Sequence, residues 1–360
     1  MLPAARAAQP SGRMAAPAIE AAAAAAGGKL VREGAEAFLA ANGYGAARRE
    51  ALPSDASFRR YVRLHGGTRP ALLMDAPPPQ EDVRPFLRVA SHLRAAGLAA
   101  PEVIAADATR GFLLLEDLGR ETMAGRLDAG ADARPLYRDA AETLAALHEA
   151  PPAAGLPEWG APRMAEMAAA TFLDWWWPEA FGARPDATAV AAFHAAIHAM
   201  LAPFAARGFV HRDFFPANLM PLDRAPPCRM GILDFQDAAQ GHPAYDLVSL
   251  VEDARRDVAE EVRAEAIALY LARRKGLDAG AFRAAMAAQA AQRHLRVAAL
   301  WVRLARRDGK RHYLVHGPRC WALLDRALQH ESTAPLRRFL DAHVPRELRA
   351  NPYSLKEDAA

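Results

Sequence analysis

The segment His211-Arg-Asp213-Phe-Phe-Pro-Ala-Asn218, followed by Ile232-Leu-Asp234-Phe235-Gln236, decides how the rest of the chain is read. Its first half fits His-Arg-Asp-x-x-x-x-Asn at every fixed position, and its second sets an aspartate directly after an apolar strand. Phosphoryl transfer needs this set for a physical reason. One carboxylate must orient the attacking hydroxyl and accept its proton, while an amide oxygen and a second carboxylate hold Mg²⁺ against the triphosphate of ATP. On this reading Asp213 is the base, Asn218 and Asp234 are metal ligands, and His211 braces the loop. Either half alone is usually structural; the two in this order, each beside an apolar strand, argue against that explanation.

Outward from this segment the chain changes character at Gly119. Before it, Phe58-Arg-Arg-Tyr-Val-Arg-Leu64 alternates like a strand, Gly66-Gly67 turns, and Ala71-Leu-Leu-Met74 is its hairpin partner. Val103–Ala106 and Phe112-Leu-Leu-Leu115 predict two more strands, and apolar spacing predicts helices over 31–42 and 83–96. After Gly119 helical spacing takes over, at 132–149, 163–175, 187–207, 253–275, 281–307 and 318–330. Only 209–235 interrupts it, with short strands at Phe209-Val210 and Met230-Gly-Ile-Leu233. The expected fold is therefore α+β and two-lobed: a β-rich N-lobe over 29–119 and a helical C-lobe over 120–350. Residues 1–28 are read as a disordered alanine-rich tail and 351–360 as a second tail.

Composition narrows the function. With 360 residues and 52% hydrophobic content the chain can bury a sizeable core. No uninterrupted apolar run approaches the roughly 20 residues of a membrane span. A formal net charge of +3 is too small an imbalance to point to nucleic acid or a membrane surface. The two cysteines, Cys228 and Cys320, match no metal-ligand or disulfide spacing, so a cytoplasmic location is the default. No protein partner is evident.

The N-terminal strands supply candidate nucleotide contacts. Ser54-Asp-Ala-Ser57-Phe58-Arg59-Arg-Tyr61 sits where a kinase places its phosphate-covering loop, although it lacks the glycines of that motif. Leu113-Leu-Leu-Glu116-Asp-Leu118-Gly119 is the expected strand and hinge, whose backbone can bond adenine. Met74 stands where a kinase strand lysine would be, and Arg59, on the same strand face as Tyr61, is a candidate replacement.

These residues resemble the aminoglycoside phosphotransferase-like kinases, and among them the bacterial anomeric N-acetylmuramate/N-acetylglucosamine kinases of cell-wall recycling. The resemblance covers most of 35–345. It rests on Ser54–Tyr61, Leu73-Met-Asp-Ala-Pro-Pro78, His211–Asn218, Asp234-Phe-Gln-Asp-Ala238, Tyr245-Asp-Leu-Val-Ser-Leu250, Arg293-His-Leu-Arg-Val297 and Arg307-Asp-Gly-Lys310. It implies a protein-kinase-like fold and Mg·ATP-dependent transfer to an amino sugar through Asp213, Asn218 and Asp234. It further implies that the subgroup dispenses with the strand lysine and that Asp246 buttresses the catalytic loop through backbone hydrogen bonds.

Only twelve positions (246 − 234) lead from Asp234 to Asp246, too few for the activation segment with which a protein kinase docks a polypeptide. The acceptor is therefore a small molecule. Trp175 and Trp176, in the run Trp175-Trp-Trp177, are candidate sugar platforms, with core packing the plainer reading. Arg293, Arg296, Arg303 and Arg307 share one helix face, read first as solvated, although Arg296 suits a carboxylate-bearing sugar. Asp237 is a candidate for substrate hydroxyls. Other acceptors (an aminoglycoside, choline, a homoserine-like alcohol) stay open, as do a nucleotide-binding regulator without transfer activity and a kinase-fold scaffold.

Overall fold

The computed structural model describes residues 31–53, 58–151 and 153–352. The 1–28 tail, most of the 351–360 tail, and Ser54 and Ser57 lie outside the described residues. The chain divides into two units, one running to Arg84 and resuming over Glu102–Asp117, the other comprising Pro85–Pro101 and Leu118 onward.

The first unit holds helix α1 (Ala35–Ala41) and strands β1 (Arg48–Ala51), β2 (Arg60–His65), β3 (Ala71–Asp75), β4 (Val103–Asp107) and β5 (Phe112–Glu116). They form one sheet, ordered β1-β2-β3-β5-β4, with every pair antiparallel. Alternation sends Val62, Leu64, Ala71, Leu73, Phe112 and Leu114 to one core, which Phe38 and Leu39 of α1 complete. Tyr61, Met74 and Leu113 stand in register on the opposite face. Leu113 and Leu115 are buried there too, and so β5 is an unbroken leucine run instead of an alternating one. Arg63 clamps Asp117 with two hydrogen bonds of 2.6 and 3.0 Å, fixing the end of β5 to β2.

In the second unit, α2 (Arg84–Ala95) precedes α3 (Met123–Asp128), α4 (Ala133–Glu149), β6 (Glu158–Trp159) and α5 (Ala161–Thr171). Then come α6 (Trp177–Phe181), α7 (Ala187–Leu201), β7 (Gly208–Val210), β8 (Leu219–Pro221), β9 (Met230–Ile232) and β10 (Ala239–Gly241). The chain continues in α8 (Ala244–Val251), α9 (Glu260–Arg273), α10 (Ala279–Asp308), α11 (Gly317–Ala327) and α12 (Ala334–His343). An antiparallel sheet unit followed by a helical unit is the expected α+β architecture.

The division differs from 29–119/120–350 in one place: Pro85–Pro101 groups with the helical unit. Side chains and backbone both explain this. Phe86 packs on Phe235 with ring centroids 4.7 Å apart, and His92 stacks on Phe209 at 5.9 Å. The Ile232 N–H donates to the Ala99 carbonyl at 2.8 Å. Thus α2 and its exit are anchored to the strands that carry the polar motif.

Asp132, Asp186 and Asp278 each accept a first-turn N–H, which starts α4, α7 and α10 where they begin. The stretch expected to be helical over 187–207 ends at Leu201, and Pro203 leaves only a 3₁₀ turn after it. By length and composition alone Ala187–Phe204 could cross a membrane. Here Phe193, Ile197, Met200 and Leu201 are buried, and α7 packs on α5 and α12. The last turn of the α5 helix widens to a π turn over Phe172–Trp176.

Gly111 starts β5 in the left-handed region (φ 76°), and a methyl group there would overlap the carbonyl oxygen of Ala76. Gly66, in the β2–β3 turn, has φ 87° but open space around it. Gly111→Ala should therefore cost about 3 kcal/mol, strain plus overlap, and Gly66→Ala only about 1 kcal/mol. Urea unfolding of the two variants checks the difference.

Candidate active site

Strand β7 delivers His211-Arg212-Asp213 into a loop that no regular ladder holds. Arg212 sits at φ 78°, which a side chain-bearing residue rarely adopts. The side chain that holds it there is Asp246, from the first turn of α8 and fully buried. Its Oδ2 accepts the His211 N–H at 2.6 Å and its Oδ1 the Arg212 N–H at 2.9 Å. His148 of α4 adds a third contact, Nε2 to Oδ2 at 3.3 Å. The other nitrogen of His148 lies 2.7 Å from the Tyr270 hydroxyl, which accepts from Arg274 at 2.8 Å. Proton directions follow: Arg274 donates to Tyr270, Tyr270 to His148 Nδ1, and His148 Nε2–H to Asp246. Burial depresses the pKa of His148 despite the carboxylate, which keeps it neutral and in this tautomer.

His211 joins the two halves of the motif. Its Nδ1 accepts the Asp213 N–H at 3.3 Å, so its Nε2 carries the proton and donates to the Leu233 carbonyl at 2.9 Å. Directly after Leu233 comes Asp234, itself at φ 59°. The β8–β9 hairpin pairs Leu219 with Ile232, and the Leu233 N–H donates to the Asn218 carbonyl at 2.9 Å. Asn218 and Asp234 thereby come to the same end of one hairpin. Gly231 in β9 matters here, because the Leu118 methyl lies 2.7 Å from where a β-carbon would stand.

The Asn218 amide donates to the Asp213 carbonyl at 2.9 Å, which orients its oxygen as the remaining acceptor. Asp234 is exposed, with Oδ1 accepting from Gln236 at 2.8 Å. Among the described residues no three His, Cys, Asp or Glu side chains converge on a metal position. One amide oxygen and one carboxylate do fit Mg²⁺, which keeps water and substrate phosphates in its other positions.

Arg296 of α10 donates to the Tyr245 hydroxyl at 3.1 Å. Burial opposes its charge, but Tyr245 and the Asp213 carboxylate outweigh that and raise its pKa. Arg255 lies over the Phe215 ring at 4.9 Å, and Arg212 over Trp159 at 4.3 Å. The exposed Asp237 offers its backbone carbonyl to Arg212 at 3.1 Å.

Two expectations need correction. Trp176 is no sugar platform: it is 0% exposed, stacks on Phe172 at 4.7 Å, and spends its indole N–H on the Ala350 carbonyl. The π turn directs it into the core, while Trp175 remains half-buried. The arginine face of α10 is not solvated throughout, since Arg293 is only 3% exposed. In the sheet unit, Arg59 pairs with Glu81 at 2.9 Å, Phe58 is 66% exposed, and Tyr61 shares its face with Met74. Glu116 accepts the Glu102 N–H at 3.2 Å. Sequence reasoning missed His148, Tyr270 and Arg274, single residues on separate helices with no local motif to mark them.

A family model described as "Phosphotransferase enzyme family" matches residues 48–283. The chain is 38% identical to an N-acetylmuramate/N-acetylglucosamine kinase of Caulobacter vibrioides, over 88% of this chain and 98% of that protein. It is 37% identical to a protein of the same name from Pseudomonas aeruginosa, over 76% and 82% of the two. Among solved structures it is similar to a choline/ethanolamine kinase family protein from Mesorhizobium loti, with TM-score 0.58 and 17% identity over 84% and 98%. It is also similar to an aminoglycoside phosphotransferase solved with GDP and kanamycin, with TM-score 0.55 and 15% identity over 79% and 94%. At those identities the structures establish the fold alone.

Asp246→Asn puts an amide where three donors meet, and should cost about 2–4 kcal/mol and lower kcat as the loop loses its anchor. Denaturant titration and turnover measure the two effects. Stability should also fall as pH drops from 6.5 toward 4. Burial above all, with His148 and the Arg274 charge nearby, lowers the His242 pKa to about 4, so the unfolded chain binds its proton first. In His242→Asn the slope of stability against pH in that window should flatten by up to about 1.4 kcal/mol per pH unit.

Proposed function

The chain belongs to the phosphotransferase enzyme family, and from that premise we propose that it is an ATP- and Mg²⁺-dependent sugar kinase acting on N-acetylmuramate, N-acetylglucosamine or both. The anomeric hydroxyl as acceptor, and a cytoplasmic place in peptidoglycan recycling, belong to the same proposal. The observation that carries it is the convergence of Asp213, Asn218 and Asp234, with the His211 bridge between the two loops. The names of the relatives above support the sugar.

In this reading Asp213 orients the acceptor hydroxyl and takes its proton as the oxygen attacks the γ-phosphorus in line with the departing ADP. Asn218 and Asp234 would hold Mg²⁺, which neutralises charge on the transferring phosphoryl group. The two bonds from Asp246 to the His211 and Arg212 amides keep Asp213 in place, so little motion is spent on reaching the reactive geometry. Tyr61 of β2, with Phe58 and Arg59 just before that strand, are the proposed nucleotide contacts in the sheet unit, together with the backbone near Glu116. The positive charge of Arg296 beside Asp213 favours a neutral or anionic acceptor over a polycationic antibiotic.

ATP consumption with Mg²⁺ should depend on an N-acetyl amino sugar, and phosphorus NMR should find the phosphate on the anomeric carbon. Turnover only with choline or an aminoglycoside would keep the phosphotransferase and discard the sugar. Asp213→Asn should cut kcat by about a hundredfold or more while Mg·ATP affinity survives; near-normal turnover would remove Asp213 from the mechanism.

A further inference from the structure

Helix α10 carries Arg293, Arg296, Arg303 and Arg307 at i, i+3, i+10 and i+14, one stripe along a helix. Of the four, only Arg307 is hydrogen-bonded to a carboxylate: it is exposed and bonds Asp308 at 2.8 and 3.0 Å. In Arg293 the buried Nε and Nη1 find no acceptor, and the Nε atoms of Arg296 and Arg303 are likewise buried without one. Arg296 has the Tyr245 hydroxyl alone, at 3.1 Å. Arg303 is half-buried; burial and then the charges of Arg307 and Arg296 depress its pKa although Asp308 opposes them, so its guanidinium lies within the field of Arg296.

Leaving buried guanidinium N–H groups without acceptors costs a fold stability. The reaction brings two kinds of anion to a site of this class, the phosphates of the donor and any carboxylate of the acceptor. Position separates them. Tyr245, whose hydroxyl Arg296 holds, directly precedes Asp246, whose carboxylate binds the two amides before Asp213, and the Asp213 charge acts on Arg296 as well. From Arg296 the stripe rises along α10 for two turns, about 10 Å, to Arg303.

We infer that Arg296 and Arg303 form a carboxylate-reading subsite beside Asp213, which binds the lactyl group of N-acetylmuramate and sets its preference over N-acetylglucosamine. The inference rests on the sugar-kinase reading and adds to it the residues that tell the two sugars apart. Those sugars differ by a 3-O-lactyl ether, a single carboxylate on an otherwise shared ring, and guanidinium–carboxylate recognition is the chemistry suited to that difference.

The test compares kcat/KM for N-acetylmuramate, its lactyl carboxamide and N-acetylglucosamine in the full-length protein. The unmodified enzyme should favour the acid over the carboxamide, which matches it in bulk but not in charge. Arg303→Gln should lower the acid-to-carboxamide ratio about tenfold or more, through KM. Arg303→Lys, which keeps the charge, should recover part of the ratio, and Arg307→Gln should leave it unchanged. A thermal midpoint near that of the unmodified protein confirms that each variant is folded. An unchanged ratio in folded Arg303→Gln overturns the inference while the kinase stands. Equal losses on all acceptors with a raised KM for ATP also overturn it, by assigning the arginine to the donor phosphates. No turnover of any of these sugars by the unmodified enzyme removes the sugar reading and the inference with it.

Discussion

Three donors from two segments meet on the Asp246 carboxylate, and the candidate site takes its shape from that meeting. The His211 and Arg212 amides lie in a stretch that neither helix nor sheet can satisfy, and Arg212 has left-handed backbone angles. Unanswered, two buried N–H groups would cost about 2–6 kcal/mol, enough to let the loop rearrange. A carboxylate answers both at once, and from the first turn of α8 it also benefits from the helix dipole. The relay Arg274–Tyr270–His148 fixes the far side of the same group. Helices α4, α8 and α9 thus converge on one ion, so their packing and the position of Asp213 are a single constraint.

The same economy appears across the hairpin. One imidazole accepts from the Asp213 amide and donates to the Leu233 carbonyl, so the Asp213 and Asp234 loops are spaced by a rigid ring. Asn218 is bound at both its carbonyl and its amide, to Leu233 and to Asp213. From the other side, α2 and its exit reach the hairpin through Phe86 on Phe235 and through the Ala99 carbonyl. The α2 helix is therefore mechanically continuous with the Asp234 turn, within the helical unit. That also explains why Pro85–Pro101 groups with that unit and not with the strands that flank it in sequence.

What could be read beforehand and what could not differ in kind. Strands β2, β3 and β5 were legible because alternation or an unbroken leucine run is a local signal. Asp213, Asn218 and Asp234 could be singled out because phosphoryl transfer needs them at a set spacing, and the hairpin does bring Asn218 beside the Asp234 turn. Strands β1, β6 and β10 gave no signal. β6 and β10 are two or three residues long and exist only through partners, β10 pairing Ala239 with Val210 and Gln240 with Glu158. The tryptophan run left two readings open, and core packing, the plainer one, holds for Trp176, which a π turn carries; the pocket reading was not separable from it by periodicity alone. His148 could not be found because its role is defined by Asp246, 98 residues away.

The arginines of α10 show how far charge pattern falls short of environment. On one side of the helix, His294 lies against Glu252 at 2.8 Å, and Arg263 and Arg326 reach the same carboxylate at 2.8 and 3.0 Å. Burial pushes Glu252 up, but the His294 bond and the Arg326 and Arg263 charges prevail and hold its pKa at about 2. There the fold answers a buried carboxylate with a buried imidazole and two part-exposed guanidinium groups. Arg293, one position before His294, and Arg296, two after it, receive no such partner. The contrast lies within a single turn of one helix, so it does not reflect a general scarcity of carboxylates in the helical unit. Arg296 and Arg303 instead keep orphaned N–H groups along the stretch of α10 that starts at the Tyr245 hydroxyl, the opening that an anionic acceptor would fill.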